Sequence, residues 1–307
     1  MTNITLRTNP SALAGSAIED ILFQLREDRE ETHNIRRDRQ IRQMPSRAVI
    51  ATVVDQLATV LFPTHYGSLD LAEGNVDTFV AGILNHALLA LTRQVRLDLS
   101  LDPDRADQGG EAIVATAEQT VAEFAKQLPG IRGTLVGDLK AAHDGDPAAT
   151  SYPEILLAYP GTIAIIYHRL AHALFRLGAT LTARLIAQIA HSKTAIDIHP
   201  SAEIGASLFM DHGTGIVIGE TARIGARVTL HQGVTLGAWS GPAEWNGAVI
   251  KGAPRHPIVE DDVVIHAGAA VLGRITIGHG SVIGGNVWLT QSVPPGSNIR
   301  QAPLRED

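Results

Sequence analysis

Up to about residue 190, apolar positions recur at the spacing of one helix face. Ile18, Ile21, Leu22 and Leu25 follow it, as do Val80, Ile83, Leu84, Ala87, Leu88 and Leu91. This period predicts helices over 11–42, 46–61, 75–98, 110–127 and 131–143, broken at Pro63 and at the LDPDRADQGG and HDGDP stretches. Two more helices are expected between 153 and 190, because Pro160-Gly161 and Gly178 interrupt an otherwise helical run. The run REDREETHNIRRDRQIRQ, residues 26–43, alternates in sign and reads as a solvated helix face.

Past residue 190 the helical period gives way to a period of six. Ile198, Ile204, Met210 and Ile216 are six apart; after a shift of two come Ile218, Ile224, Leu230 and Leu236; then Val259, Ile265, Val271, Ile277, Ile283 and Leu289. Glycine follows many of them (Gly205, Gly219, Gly225, Gly237, Gly278, Gly284), as corners needing unusual backbone angles would require. A β-sandwich would alternate with period two, and this stretch does not. The pattern resembles the hexapeptide-repeat acyltransferases, whose left-handed parallel β-helix winds three hexads into each triangular coil. Four or five coils fit here, stacked about 4.8 Å apart with the aliphatic residues on the axis. The repeat falls silent between Leu236 and Val259, so residues 237–258, rich in Gly and Pro, are expected as one extruded loop.

Composition narrows the function. The chain has 307 residues, 45% hydrophobic and 19% charged, with a net charge of -7 spread over both halves, which speaks against nucleic acid or an anionic membrane as partner. It has no cysteine, which excludes disulfides, thiolate metal ligands and a cysteine nucleophile. Neither a leader peptide nor a membrane span is visible, so a cytoplasmic protein is expected.

Candidate chemistry gathers on the repeat. In MDHGTGIVIGE, residues 210–220, Met210 and Ile216 occupy interior positions, so the neighbouring Asp211 and His212 face outward at a corner. Seven of the thirteen histidines lie after residue 190. His168 and His172 have the i,i+4 spacing of a zinc pair, but no Glu follows His168, and a helix-packing role is expected. The GHGSVIGG stretch lies in hexad register and reads as corners.

Segments DIHPSAEIG (197–205), MDHGTGIVIGE, HQGVTLG (231–237) and RHP (255–257), with GDPAATSYPEILLAYPG (145–161) upstream, resemble serine O-acetyltransferases. The resemblance covers roughly 130 to 296. It implies an α+β protein: a helical domain over 1–190, the β-helix over 191–293 and a tail over 294–307. It implies acetyl transfer from acetyl-CoA to the L-serine hydroxyl, on the way to cysteine. His212 would be the general base, with Asp197 as its carboxylate partner. Asp146 and Asp211 would take the serine ammonium, and Arg255 and His256 its carboxylate and hydroxyl region, with Glu220 supporting the pocket. His256 would also steady the oxyanion. Gly237, Ala238 and Ala267 would contact coenzyme A, and His266 replaces a Gly common in the family. The family implies a homotrimer or dimer of trimers, no metal, and feedback inhibition by L-cysteine. The ending QAPLRED lacks the C-terminal Ile with which many members bind O-acetylserine sulfhydrylase, so weak or no complex with that enzyme is expected. Three other readings stand beside this one: a sugar or polysaccharide acceptor, a purely structural module, and a γ-class carbonic anhydrase with zinc, whose close His-x4-His pair is absent.

Overall fold

The computed structural model describes residues 15–32, 36–37, 40–41, 43–67, 75–105, 108–239 and 252–301. It divides into two compact units, Met1–Met44 and Pro45–Asp307. The first contains α1 (Gly15–Thr32) and an antiparallel pair, β1 (Arg36–Arg37) and β2 (Gln40–Ile41). The helix expected over 11–42 therefore stops at Thr32; residues 11–14 lie outside those described. Beyond Leu25 only Ile35 and Ile41 are apolar in this run, too few for a stripe that could hold a helix in place.

In the second unit, α2 (Arg47–Leu61) starts at Ser46, whose hydroxyl accepts from the Val49 N–H at 3.4 Å. The single turn α3 (Pro63–Tyr66) and the long α4 (Val76–Leu99) follow. Next come α5 (Gly110–Gly145), α6 (Tyr152–Ala158), α7 (Pro160–Arg176) and α8 (Thr180–Thr194). Two expectations need correction. Pro129 does not divide α5, although an internal proline costs about 3 kcal/mol. Both halves are held from the same side, with Phe124 and Leu128 buried before it and Leu135 and Leu139 after it. The run from 153 to 190 makes three helices instead of two, since Pro160 sits at the first position of α7, where its missing N–H costs nothing. The start of α8 has no cap of its own; the buried Asp98 on α4 accepts from the Thr182 N–H at 2.7 Å instead.

From Asp197 onward the chain is a parallel solenoid with three flat sides. The first side stacks β3 (Asp197–Ile198), β6 (Val217–Ile218), β9 (Thr235–Gly237), β12 (Ala270–Leu272) and β15 (Trp288–Leu289). The second stacks β4 (Glu203–Ile204), β7 (Arg223–Ile224), β10 (Ile258–Val259) and β13 (Thr276–Ile277). The third stacks β5 (Phe209–Asp211), β8 (Thr229–His231), β11 (Val264–Ile265), β14 (Val282–Ile283) and β16 (Asn298–Ile299). Register is set by the axial column: Ile198, Ile218, Leu236, Val271 and Leu289 align on the first side. Ile218 is therefore the repeat residue of the second coil, and Ile216 is a buried corner residue beside it.

The corners differ from expectation. None of the glycines following the aliphatic positions has a positive φ. Two columns of other residues do: Ala195, Gly215, Gly233, Gly268 and Asn286 at one corner, Ser207, Arg227, Asp262, Gly280 and Gly296 at another. At the second corner each N–H after that of Ser207 donates to the coil beneath, as Arg227 does to the Ala206 carbonyl at 2.9 Å. The glycines of the hexads serve close approach instead: a Cβ on Gly205 would lie 2.5 Å from the Gly225 oxygen. No helix among the described residues is long and apolar enough to cross a membrane.

A buried ion pair joins helices to solenoid. Arg169 on α7 donates twice to Asp138 on α5, at 2.7 and 2.8 Å, and also to the carbonyls of Ile204 (3.3 Å) and Gly205 (2.8 Å). Asp138 in turn accepts from the Leu208 N–H at 3.0 Å. Substituting Asp138→Ala strands a guanidinium that is only 9% exposed; a loss of about 3–5 kcal/mol is expected in urea unfolding.

Candidate active site

The corner entering the second coil carries two extra residues, since Met210 and Ile218 are eight apart where a coil side takes six. The chain absorbs them with positive φ at His212 (54°) and Gly213 (81°), just ahead of the regular corner residue Gly215. The bulge pushes the His212 ring outward until its side chain is 77% exposed, while Asp211 beside it is 26% exposed. Asp211 Oδ2 meets His231 Nδ1 at 2.9 Å, and its Oδ1 lies 3.9 Å from His212 Nε2. The His231 ring stacks on His266 at 4.8 Å, so His266, although exposed, buttresses this corner.

The helices deliver a second carboxylate to the same place. Asp146 is the C-cap of α5; its Oδ1 accepts from the Ala148 N–H at 2.8 Å and its Oδ2 from the Tyr159 hydroxyl at 2.6 Å. Its carboxyl is held below the usual carboxylate value, first by the Tyr159 bond, then by the Ala148 N–H, and to a lesser degree by the His212 imidazole. The same bond pushes the Tyr159 hydroxyl up to about 12, with Asp211 among the smaller causes. Gly161 lets α7 approach this closely, since a Cβ there would lie 2.6 Å from the Met210 oxygen. Asp146, Asp211 and His212 thus share one corner of one chain.

A second cluster occupies the next corner along. Glu220 forms an ion pair with the Arg255 guanidinium. The Thr221 hydroxyl accepts from the backbone N–H groups of Arg255 (2.9 Å) and His256 (3.1 Å) and donates to His256 Nδ1 at 2.9 Å. The Thr221 N–H also donates to that nitrogen at 3.1 Å, so the neutral ring carries its proton on Nε2 and presents a donor there. Burial, and next the Arg255 charge, hold the His256 imidazole below its usual value and therefore neutral at pH 7. The ring lies flat on Gly219, where a Cβ would come within 1.9 Å of it. Arg274 ties the cluster down through the carbonyls of Thr221 (2.7 Å) and His256 (2.9 Å).

The remaining candidates are placed as follows. Asp197 lies on β3, paired with Val217; among the described residues it makes no hydrogen bond to His212, whose carboxylate neighbour is Asp211. Gly237 ends β9, its Cβ position blocked by Leu272 at 2.9 Å, and the exposed Ala238 follows it. Ala267 sits in the corner column of His212, its carbonyl accepting from the Asn286 N–H at 2.9 Å. Residues 240–251 of the expected loop lie outside those described. Within one chain the His212 and His256 clusters are not brought together: about five residues of extended chain, roughly 16 Å, separate them across the first side. Tyr159, Thr221 and His231 were missed as site residues in the sequence. Tyr159 and Thr221 lie inside quoted or adjoining motif segments, and His231 follows Asp211 by one coil.

His199 repeats the pattern of His256 one coil lower, its Nδ1 accepting from the Ser201 N–H at 3.1 Å. Burial, then the Arg184 charge, lower its value to about 4. The unfolded chain, near 6.5, takes up a proton before the folded one does, so stability is intact above that pH and is lost as pH falls toward 4. Thermal midpoints should drop between pH 6.5 and 4.5, and the drop should be shallower in His199→Gln.

Comparison with known proteins agrees with this architecture. The family model described as bacterial transferase hexapeptide (six repeats) matches residues 256–291. The plasmid serine acetyltransferase of Synechococcus elongatus is 52% identical over 269 residues, covering 86% of this chain and 84% of the relative. Serine acetyltransferase 1 of Entamoeba histolytica, solved in complex with L-cysteine, superposes with a TM-score of 0.71 at 35% identity, covering 81% of this chain and 86% of that one. The Neisseria gonorrhoeae serine acetyltransferase in complex with serine gives 0.52 at 28% identity, over 84% and 97%. With half its residues identical to a curated relative across most of both chains, and helices and solenoid matched together in solved structures, the protein belongs to the serine acetyltransferase family.

Proposed function

We propose that the protein transfers the acetyl group of acetyl-CoA to the hydroxyl of L-serine, forming O-acetylserine. The observation that carries this reading is the corner itself, where Asp146 and Asp211 flank an outward-facing imidazole. Two carboxylates suit a cationic ammonium, and a neutral imidazole suits a hydroxyl that must lose its proton as it attacks. His212 takes that proton, the serine oxygen adds to the thioester carbonyl, and collapse of the tetrahedral intermediate expels the coenzyme A thiolate, which His212 protonates. Asp197 serves as the second carboxylate for the imidazole.

The serine carboxylate needs a guanidinium, and Arg255 lies at the other corner. A second copy of the chain supplies it: the corner bearing Glu220, Arg255 and His256 on one subunit faces the His212 corner of its neighbour. The assembly is therefore a closed homotrimer or a dimer of trimers. Glu220 aims Arg255, and the Nε2–H of His256 donates to the developing oxyanion. Gly237, Ala238 and Ala267 border the pantetheine arm, their small side chains admitting it closely. In this reading the helices through α8, which ends at Thr194 and not at 190, assemble the protein and supply Asp146, and the solenoid, which runs past the expected boundary at 293 through β16 (Asn298–Ile299), carries the chemistry.

The L-cysteine and serine bound to the solved relatives support cysteine as a feedback inhibitor that competes for this pocket. Residues 302–307 lie outside those described.

Thiol release from acetyl-CoA should depend on L-serine and fall by about 10²–10⁴ in kcat in His212→Ala. Release without regard to serine, or an unaffected variant, would overturn the assignment. Arg255→Lys should raise the serine KM far more than it lowers kcat, because a point charge cannot replace a bidentate fork, and cysteine should raise the apparent serine KM without changing kcat.

A further inference from the structure

The two helices that frame the serine corner also border an open depression of about 740 Å³ where they meet β4. Its lining includes Lys126 from α5 and His168, Arg169, His172 and Arg176 from α7, and no Asp or Glu. His168, His172 and Arg176 follow one another at i, i+4 and i+8, which stacks them on one face of a helix whose sequence contains no acidic residue. Arg176 carries a full positive charge on this face, and no carboxylate lines the depression among the described residues. The carboxylates close by are committed: Asp138 behind the lining is taken by Arg169, Glu123 at the rim by Lys126 at 2.6 Å, and Glu203 on β4 by Arg223 at 3.1 Å.

Among the described residues two buried side-chain atoms lack a hydrogen-bond partner, Thr182 Oγ1 and, at this depression, His168 Nδ1. His168 is 4% exposed, and its Nδ1 has no hydrogen-bond partner. Burial, then the charges of His172, Arg169 and His199, hold its imidazole well below the usual value. The neighbouring His172 gives its Nδ1 to the Pro200 carbonyl at 2.8 Å, leaving Nε2. The i,i+4 pair is not a cation site, since no group of three ligands is assembled among the described residues and Arg169 and Arg176 stand beside it.

We propose that this depression binds a tetrahedral oxyanion, phosphate or sulfate, either free or carried by a small metabolite, with Arg176, His168 and His172 as its main contacts. Such a group accepts from the Arg176 guanidinium, can donate a hydroxyl of its own to the free His172 nitrogen, and supplies negative charge where the lining offers none. The site is separate from the serine corner and does not depend on the activity proposed there.

Calorimetric titration of the full chain with inorganic phosphate, inorganic sulfate and glycerol 3-phosphate, each against sodium chloride at equal ionic strength, tests this. Saturable binding of at least one is expected, weakened tenfold or more in Arg176→Ala and abolished in Arg176→Glu. Arg176 is exposed, and retained serine-dependent thiol release would report that the variants fold. Binding of the inorganic ions as tightly as the ester would identify the free ion as the source; binding of the ester alone would identify a phosphorylated metabolite. No saturable binding beyond chloride by any of the three, or equal affinity in wild type, Arg176→Ala and Arg176→Glu, would overturn the proposal.

Discussion

Everything in this structure follows from the space along the axis of the solenoid. Each side of each coil turns one strand residue inward, backed by a buried apolar corner residue such as Val234 or Val263, and the parallel ladder locks the inward residues in columns, which leaves polar groups the corners and the outer face. A corner is also where backbone geometry is least regular. The two extra residues after Met210 cost the axis nothing and lift His212 out of the surface, which no insertion within a strand could do without breaking a column. Chemistry and scaffold are thus kept apart by geometry: Asp211 and His212 are adjacent to Met210 in sequence, yet share none of its packing.

The solenoid was legible because its period is strict and its interior admits few residue types. The columns at Leu236, Val271 and Ile283 are recoverable from spacing alone, and the silence between Leu236 and Val259 marks an excursion. The corners were harder. Glycine in a repeat has two physical explanations, backbone freedom and lack of bulk. Only coordinates distinguish Gly233, with its φ of 72°, from Gly205, which makes room for Gly225. In the helical region, local rules failed where tertiary burial outweighed them, as at Pro129, and where a charged run had no stripe to bury, as past Thr32.

For the candidate site, motif and resemblance named the charged residues, while geometry supplied their supports. Tyr159, Thr221 and His231 act through hydrogen bonds across 13, 35 and 20 residues of sequence, separations at which composition carries no signal. The division of the charges between two corners was likewise invisible before folding, because Glu220 and His212 are close in sequence and lie at opposite edges of one flat side.

The unbroken length of α5 turns that helix into a ruler. Asp138, pinned by Arg169, and Asp146, at the His212 corner, are eight residues apart on one rigid rod, roughly 12 Å. The pin, and not the preceding bundle, therefore sets how far the terminal carboxylate reaches over the solenoid. Whatever tilts α5 against the solenoid at the pin therefore carries the Asp146 carboxylate with it.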